Sequence, residues 1–157
     1  MKAASSQEIK VHLKEMNKQE LMAICLRLAR FKKENKELLD YLLFQSHDLE
    51  GYITAVKAKI DEGFQQVNTS SVFLAKKTIR KILRICRKYI RYTGSEIAEA
   101  EILMHYLTHF KSMNLPWQKT KVLKNIYDAQ LKRISTAIES MHEDLQYDYR
   151  KRLELFS

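Results

Sequence analysis

The residues of this 157-residue chain best suited to chemistry are eight cations in one short stretch: Lys76, Lys77, Arg80, Lys81, Arg84, Arg87, Lys88 and Arg91. Residues 71–92 contain these eight and no Asp or Glu, so they carry nearly all of the formal net charge of +9. At about 100° per residue the eight fall within an arc of about 140°. The opposite arc collects Val72, Leu74, Ala75, Ile79, Ile82, Leu83, Ile85, Cys86, Tyr89 and Ile90. The apolar half must be buried, so the basic half faces water or a partner. Phe73 is the exception and projects into the basic arc unless the helix starts one residue later. The whole helix is about 30 Å long, comparable with one turn of duplex nucleic acid. Like charges at helical spacing repel by a few tenths of a kcal/mol per pair, so the face calls for compensation. Glu96, Glu99 or Glu101 on the following helix can fold over it and leave it internally neutralised. A polyanion such as RNA or DNA, or an acidic protein, can supply the charge instead. Anionic lipid fits least, because the apolar half is committed to the core rather than free to insert. With a nucleic acid the chemistry is phosphate neutralisation with counterion release. No Asn or Gln interrupts the face to pair with an adenine edge.

Other constellations are weaker. His105 and His109 stand four apart on one helix with Glu101 one turn earlier, a spacing at which two imidazoles and a carboxylate can chelate a metal. That face also carries Thr108 and Ser112, lies opposite Leu103, Leu107 and Phe110, and is expected to be the wet side, so no metal is assigned. Glu139-Ser140-Met141-His142 has the Glu-x-x-His spacing of di-iron carboxylate bundles, which need two such units. Ile9, Phe44, Ile102 and Tyr106 stand three residues before the other histidines, so the second unit is missing. Cys25 and Cys86 each lie inside a helical apolar pattern and read as buried thiols acting as small hydrophobes. Asp144 and Asp148 have Arg150 and Lys151 as neighbours and read as surface pairs. Trp117 and Tyr127 read as core aromatics. GxGxxG, GxxxxGK[ST] and GxSxG are all absent. No catalytic residue and no cofactor is expected, and the chain reads as a non-enzyme.

These residues must be positioned by helices. Three glycines and one proline are too few for a sandwich, a barrel or a phosphate-cradling loop, while 45% hydrophobic residues at regular spacing exclude disorder. The fold class is therefore all-α. Ser5 with Glu8 and Asn17 with Glu20 have capping-box spacing. The helix from Asn17 to about Phe31 is apolar on most sides, through Leu21, Met22, Ala23, Ile24, Cys25, Leu26, Leu28 and Ala29, and is expected to be central. Lys32-Lys33-Glu34-Asn35 interrupts it before a cluster at Leu38–Phe44. Ser46 or Asp48 caps a helix running to about Val67, Asn68–Ser71 forms a turn, and the basic helix follows to Tyr92. Gly94 suits a left-handed helix end and Ser95 the next start. Asn114-Leu115-Pro116 ends that helix near Met113. The segment from Trp117 forms one helix or two with a bend near His142. Seven or eight helices joined by short turns pack as antiparallel hairpins, as a bundle or a short αα-superhelix.

The stretch Leu13-Lys14-Glu15-Met16-Asn17-Lys18-Gln19-Glu20-Leu21, continuing to Lys33-Glu34-Asn35-Lys36-Glu37, resembles the start of a family of short bacterial all-helical proteins of unknown function. Leu103-Met104-His105-Tyr106-Leu107 and the helix after it are similar to the later part of that family, so the resemblance touches about half the chain. It implies an all-helical fold in a bacterial cytosol and carries no functional residue with it.

The amino end has no apolar stretch behind Lys2, and no run approaches the roughly eighteen apolar residues of a bilayer crossing, so a cytoplasmic setting is expected. No interdomain linker is visible, and residues 1–157 read as one domain. The expected role is a binding or interaction module that uses the 76–91 basic face. The alternative is a scaffolding protein whose apolar helix faces build a homo-oligomer, with no nucleic-acid role.

Overall fold

The computed structural model describes residues 2–157. Among them the chain is all-α, 81% helical, with eight α-helices and no strands. These are α1 (Ser6–Glu15), α2 (Lys18–Phe31), α3 (Lys33–Asp40), α4 (Leu49–Gln65), α5 (Val72–Thr93), α6 (Glu96–Ser112), α7 (Lys121–Glu139) and α8 (Glu143–Glu154). A π-helical turn at Tyr41–Gln45 and a 3-10 turn at Trp117–Lys119 complete the order. Both capping boxes form: the Glu8 N–H donates to Ser5 and the Glu20 N–H to Asn17, while each glutamate accepts from its cap residue. The segment after Trp117 takes the bent alternative, because Ser140–His142 breaks it into α7 and α8.

The chain divides into two compact units, residues 1–44 and residues 45–157. In the first, α2 packs on α3, and the Asn35 side chain donates to the Leu28 carbonyl at 2.8 Å. The expectation that α2 is a central helix is overturned, since it has no buried residue. Met22, Leu26, Leu28 and Phe31 are exposed, and so is Cys25, which corrects its reading as a buried thiol. A unit of three short helices has too few neighbours to cover a helix that is apolar on most sides.

The second unit is built around α6, which packs on α4, α5 and α7. Ala98, Ala100, Ile102, Leu103, Tyr106, Leu107 and Phe110 are fully buried, so this helix is covered nearly all round. Ala75, Ile79, Ile82, Leu83, Cys86 and Ile90 of α5 supply a second layer, as the two-faced pattern predicts. Burial pushes the Cys86 thiol up to about 12, so it stays protonated and inert. Trp117 and Tyr127 stack at 4.5 Å between ring centroids and close the core beside Phe110. Among the described residues no helix is long and apolar enough to cross a membrane.

Candidate functional site

The α5 helix starts from Ser71, whose side chain accepts from the Leu74 N–H, and ends at Gly94 in the left-handed region with φ 58°. Helix α6 restarts at once from Ser95. This cap-to-cap definition fixes the rotation of α5, and with the apolar arc on the core the basic arc turns outward. Lys77, Arg80, Lys81, Arg84, Arg87 and Arg91 are exposed, and Lys76 and Lys88 are half-buried. Phe73 projects beside them as the pattern allowed, 75% exposed, with the Lys76 ammonium 5.6 Å from its ring centre. The Lys88 ammonium lies 5.0 Å from the Tyr89 ring centre.

The glutamates of α6 do not fold over the face. Glu99 turns to α7 and accepts from the Arg133 Nε at 2.8 Å. Glu101 turns to α4 and α8, where it meets Lys57 at 2.6 Å, Arg152, and the Tyr149 hydroxyl at 3.0 Å. Glu96 is exposed at the start of α6. Among the described residues no carboxylate lies within ion-pair distance of Lys76, Lys77, Arg80, Lys81, Arg84, Arg87 or Arg91. These seven cations therefore form a band without a carboxylate partner.

Two grooves flank the basic face, one lined by three of its arginines and the other by two of its lysines. Arg80, Arg84 and Arg87, at spacings of four and three, line a groove of about 610 Å³ whose far wall is Val122, Asn125, Ile126 and Ala129 of α7. Gln130 reaches this groove from beneath; it is buried, its Nε2 donates to the Ile126 carbonyl, and its Oε1 has no hydrogen-bond partner. Lys81 and Lys88 line the other groove, about 380 Å³, with Lys59, Glu62 and Gln66 of α4 opposite.

A second cluster sits on α4 and α6. His105 and His109 share a face of α6, and α4, which runs parallel to α6, brings Asp61 against it. The Nε2 atoms of both histidines meet the same oxygen, Asp61 Oδ1, at 2.5 and 2.6 Å. The histidine face is thus half-buried against α4 rather than wet. Glu101, the third ligand that spacing along α6 suggests, is taken by Lys57, Arg152 and Tyr149, and Asp61 stands in its place. No local spacing signals Asp61, which lies 44 residues from His105. Partial burial raises the Asp61 carboxyl, but the hydrogen bonds and charges of the two histidines outweigh it and hold the group below its ordinary value. Glu139 and His142 do not form a di-iron half-site, because α7 ends at Glu139 and His142 caps α8, both exposed.

No protein-family model, curated protein or solved structure matches the chain.

Proposed function

We propose that the protein binds the phosphate backbone of a nucleic acid along the basic face of α5. The observation that carries this reading is the set of seven cations with no carboxylate partner on a helix whose other half is core. Such a face gains most from a ligand that presents negative charge at regular intervals, and a phosphate backbone does so. The arginine row suits phosphate because each guanidinium offers two parallel N–H donors to an oxyanion. The lysine row adds charge without a fixed geometry. Phe73, exposed at one end of the band, offers a ring face on which an unpaired base can stack. The contact is sequence-tolerant, since these groups address charge and ring faces rather than base edges. An acidic protein is the other partner of matching charge, and a nucleic-acid binding assay separates the two.

The test is fluorescence anisotropy with labelled single-stranded and duplex oligonucleotides of mixed sequence. Replacing Arg80, Arg84, Arg87 and Arg91 together by Gln is expected to weaken binding at least tenfold and by a similar factor for every sequence. Binding that is unchanged in this variant retires the reading.

A second reading, homo-oligomeric scaffolding, is favoured by the residue 1–44 unit. Leu26, Leu28, Phe31, Leu42, Leu43 and Phe44 are all exposed there, more apolar surface than a small unit ordinarily leaves in water. Light scattering across a concentration series tests it. Self-association that Phe31→Ser and Leu43→Ser abolish supports it, and a monomer at all concentrations contradicts it.

A further inference from the structure

We propose that Asp61, His105 and His109 form a binding site for a divalent transition-metal ion, Zn2+ by the chemistry of its ligands, with one coordination position left open. The donor set is two imidazole nitrogens and one carboxylate oxygen, which suits Zn2+ and its neighbours Co2+ and Ni2+. A single carboxylate is too poor in oxygen for Ca2+ or Mg2+.

Three observations carry it. The first is convergence. A carboxylate offers two oxygens and about four acceptor directions, so two histidines that merely pair with it can divide between them. Here both Nε2 atoms point at Oδ1, and all three donor atoms lie within 4.8 Å of one another. Tetrahedral ligation at metal–ligand distances near 2.0–2.1 Å spaces donors by roughly 3.3 Å, so small side-chain rotations open the cluster around an ion. The second is orientation. The His109 ring stacks on Phe64 at 5.0 Å and 13° and meets the His105 ring edge-on at 5.0 Å, which fixes where both nitrogens point. The helix backbone adds to this, because residues four apart on α6 project in parallel. The third is access. The His105, His109 and Asp61 side chains keep 27%, 31% and 44% of their surface exposed, and a groove of about 280 Å³, walled by Phe64, Val67 and Met113, opens beside Asp61 and His109. Three protein ligands with a reachable fourth position distinguish a reactive or exchangeable metal site from a closed structural one. One turn away Glu101 holds both the Lys57 ammonium, at 2.6 Å, and the Arg152 guanidinium, so each of these cations is engaged by a carboxylate.

The site shares no residue with the α5 basic face, so each proposal can fail without the other. The test is titration of the metal-stripped full chain with Co2+ alone, followed by visible absorption and calorimetry, and by long-range 1H–15N spectra with Zn2+. The expected result is one ion per chain, tetrahedral Co2+ bands, and Zn2+-induced shifts of the His105 and His109 Nε2 resonances. His105→Ala and His109→Ala abolish binding, Asp61→Asn weakens it at least tenfold, and Cys25→Ser, His12→Ala and His142→Ala leave it intact. Circular dichroism of each variant keeps loss of fold apart from loss of ligand. The wild-type spectra stand independently of the variants: absence of saturable binding, or Zn2+-induced shifts confined to other histidines, overturns the proposal. So does Co2+ binding that survives loss of both His105 and His109.

Discussion

Glu101 joins α4, α6 and α8 through one carboxylate that takes Lys57, Arg152 and Tyr149 together. Burial alone raises its pKa, but the hydrogen bonds and charges of Arg152 and Lys57 outweigh that and bring it to about 2 from the ordinary 4.5. The folded state thus holds this proton more weakly than the unfolded state. The contribution to stability is fully present above about pH 4.5 and is lost as pH falls from there through about 2. Glu101→Gln is expected to cost about 2 kcal/mol near neutral pH, because it leaves two cations without their partner. It also flattens the acid limb of the stability curve, and urea denaturation across that range measures both effects. Gln130 offers the opposite case. Its buried Oε1 accepts no hydrogen bond, so Gln130→Met removes an unsatisfied acceptor and is expected to raise stability by on the order of 1 kcal/mol. A lower melting temperature contradicts that assignment. Both sites also show what the sequence left out at this scale. Glu101 reads from the sequence as a third metal ligand beside His105 and His109, or as a cover for α5, yet helix packing gives it to Lys57 and Arg152. Asp61 is invisible as a site residue until α4 is laid against α6, because pairing between helices is set by packing rather than by local spacing.

At the scale of elements, α5 is legible almost completely. Its caps, two-faced pattern and glycine stop all lie in contiguous sequence, and the structure places them accordingly. The positions of α2 and α6 were harder to read. Both are apolar on most sides, so periodicity alone does not tell which becomes the core helix. Three long amphipathic neighbours decide it for α6, whereas α2 has only short ones. The contact between α4 and α5 depends on Gly63, where a Cβ would come within 2.9 Å of Ile82 Cγ1. Gly63→Ala is expected to cost roughly 1–3 kcal/mol by forcing the two helices apart, read as a drop in urea midpoint. At Gly94 the obstacle is backbone instead. A Cβ there meets nothing within 4 Å, but φ of 58° costs a side-chain-bearing residue about 1 kcal/mol.

At the scale of the molecule, nearly the whole buried core belongs to residues 45–157, with Tyr41 the one buried hydrophobic residue before Gln45 among the described residues. A chain shortened to residues 45–157 is therefore expected to keep a cooperative thermal transition and a strongly helical circular dichroism spectrum. Loss of cooperativity assigns residues 1–44 a larger share of the stability. The same concentration of structure places the α5 band on the unit that holds the core, where the buried half of the helix anchors it. The salt dependence of nucleic-acid affinity tests that band most directly. Affinity plotted against salt on logarithmic axes is expected to fall with a slope of about −4 on duplex, as about five phosphate contacts require, and to become markedly shallower when the four arginines are replaced by Gln. A slope near zero, or one that the replacement leaves unchanged, contradicts the account.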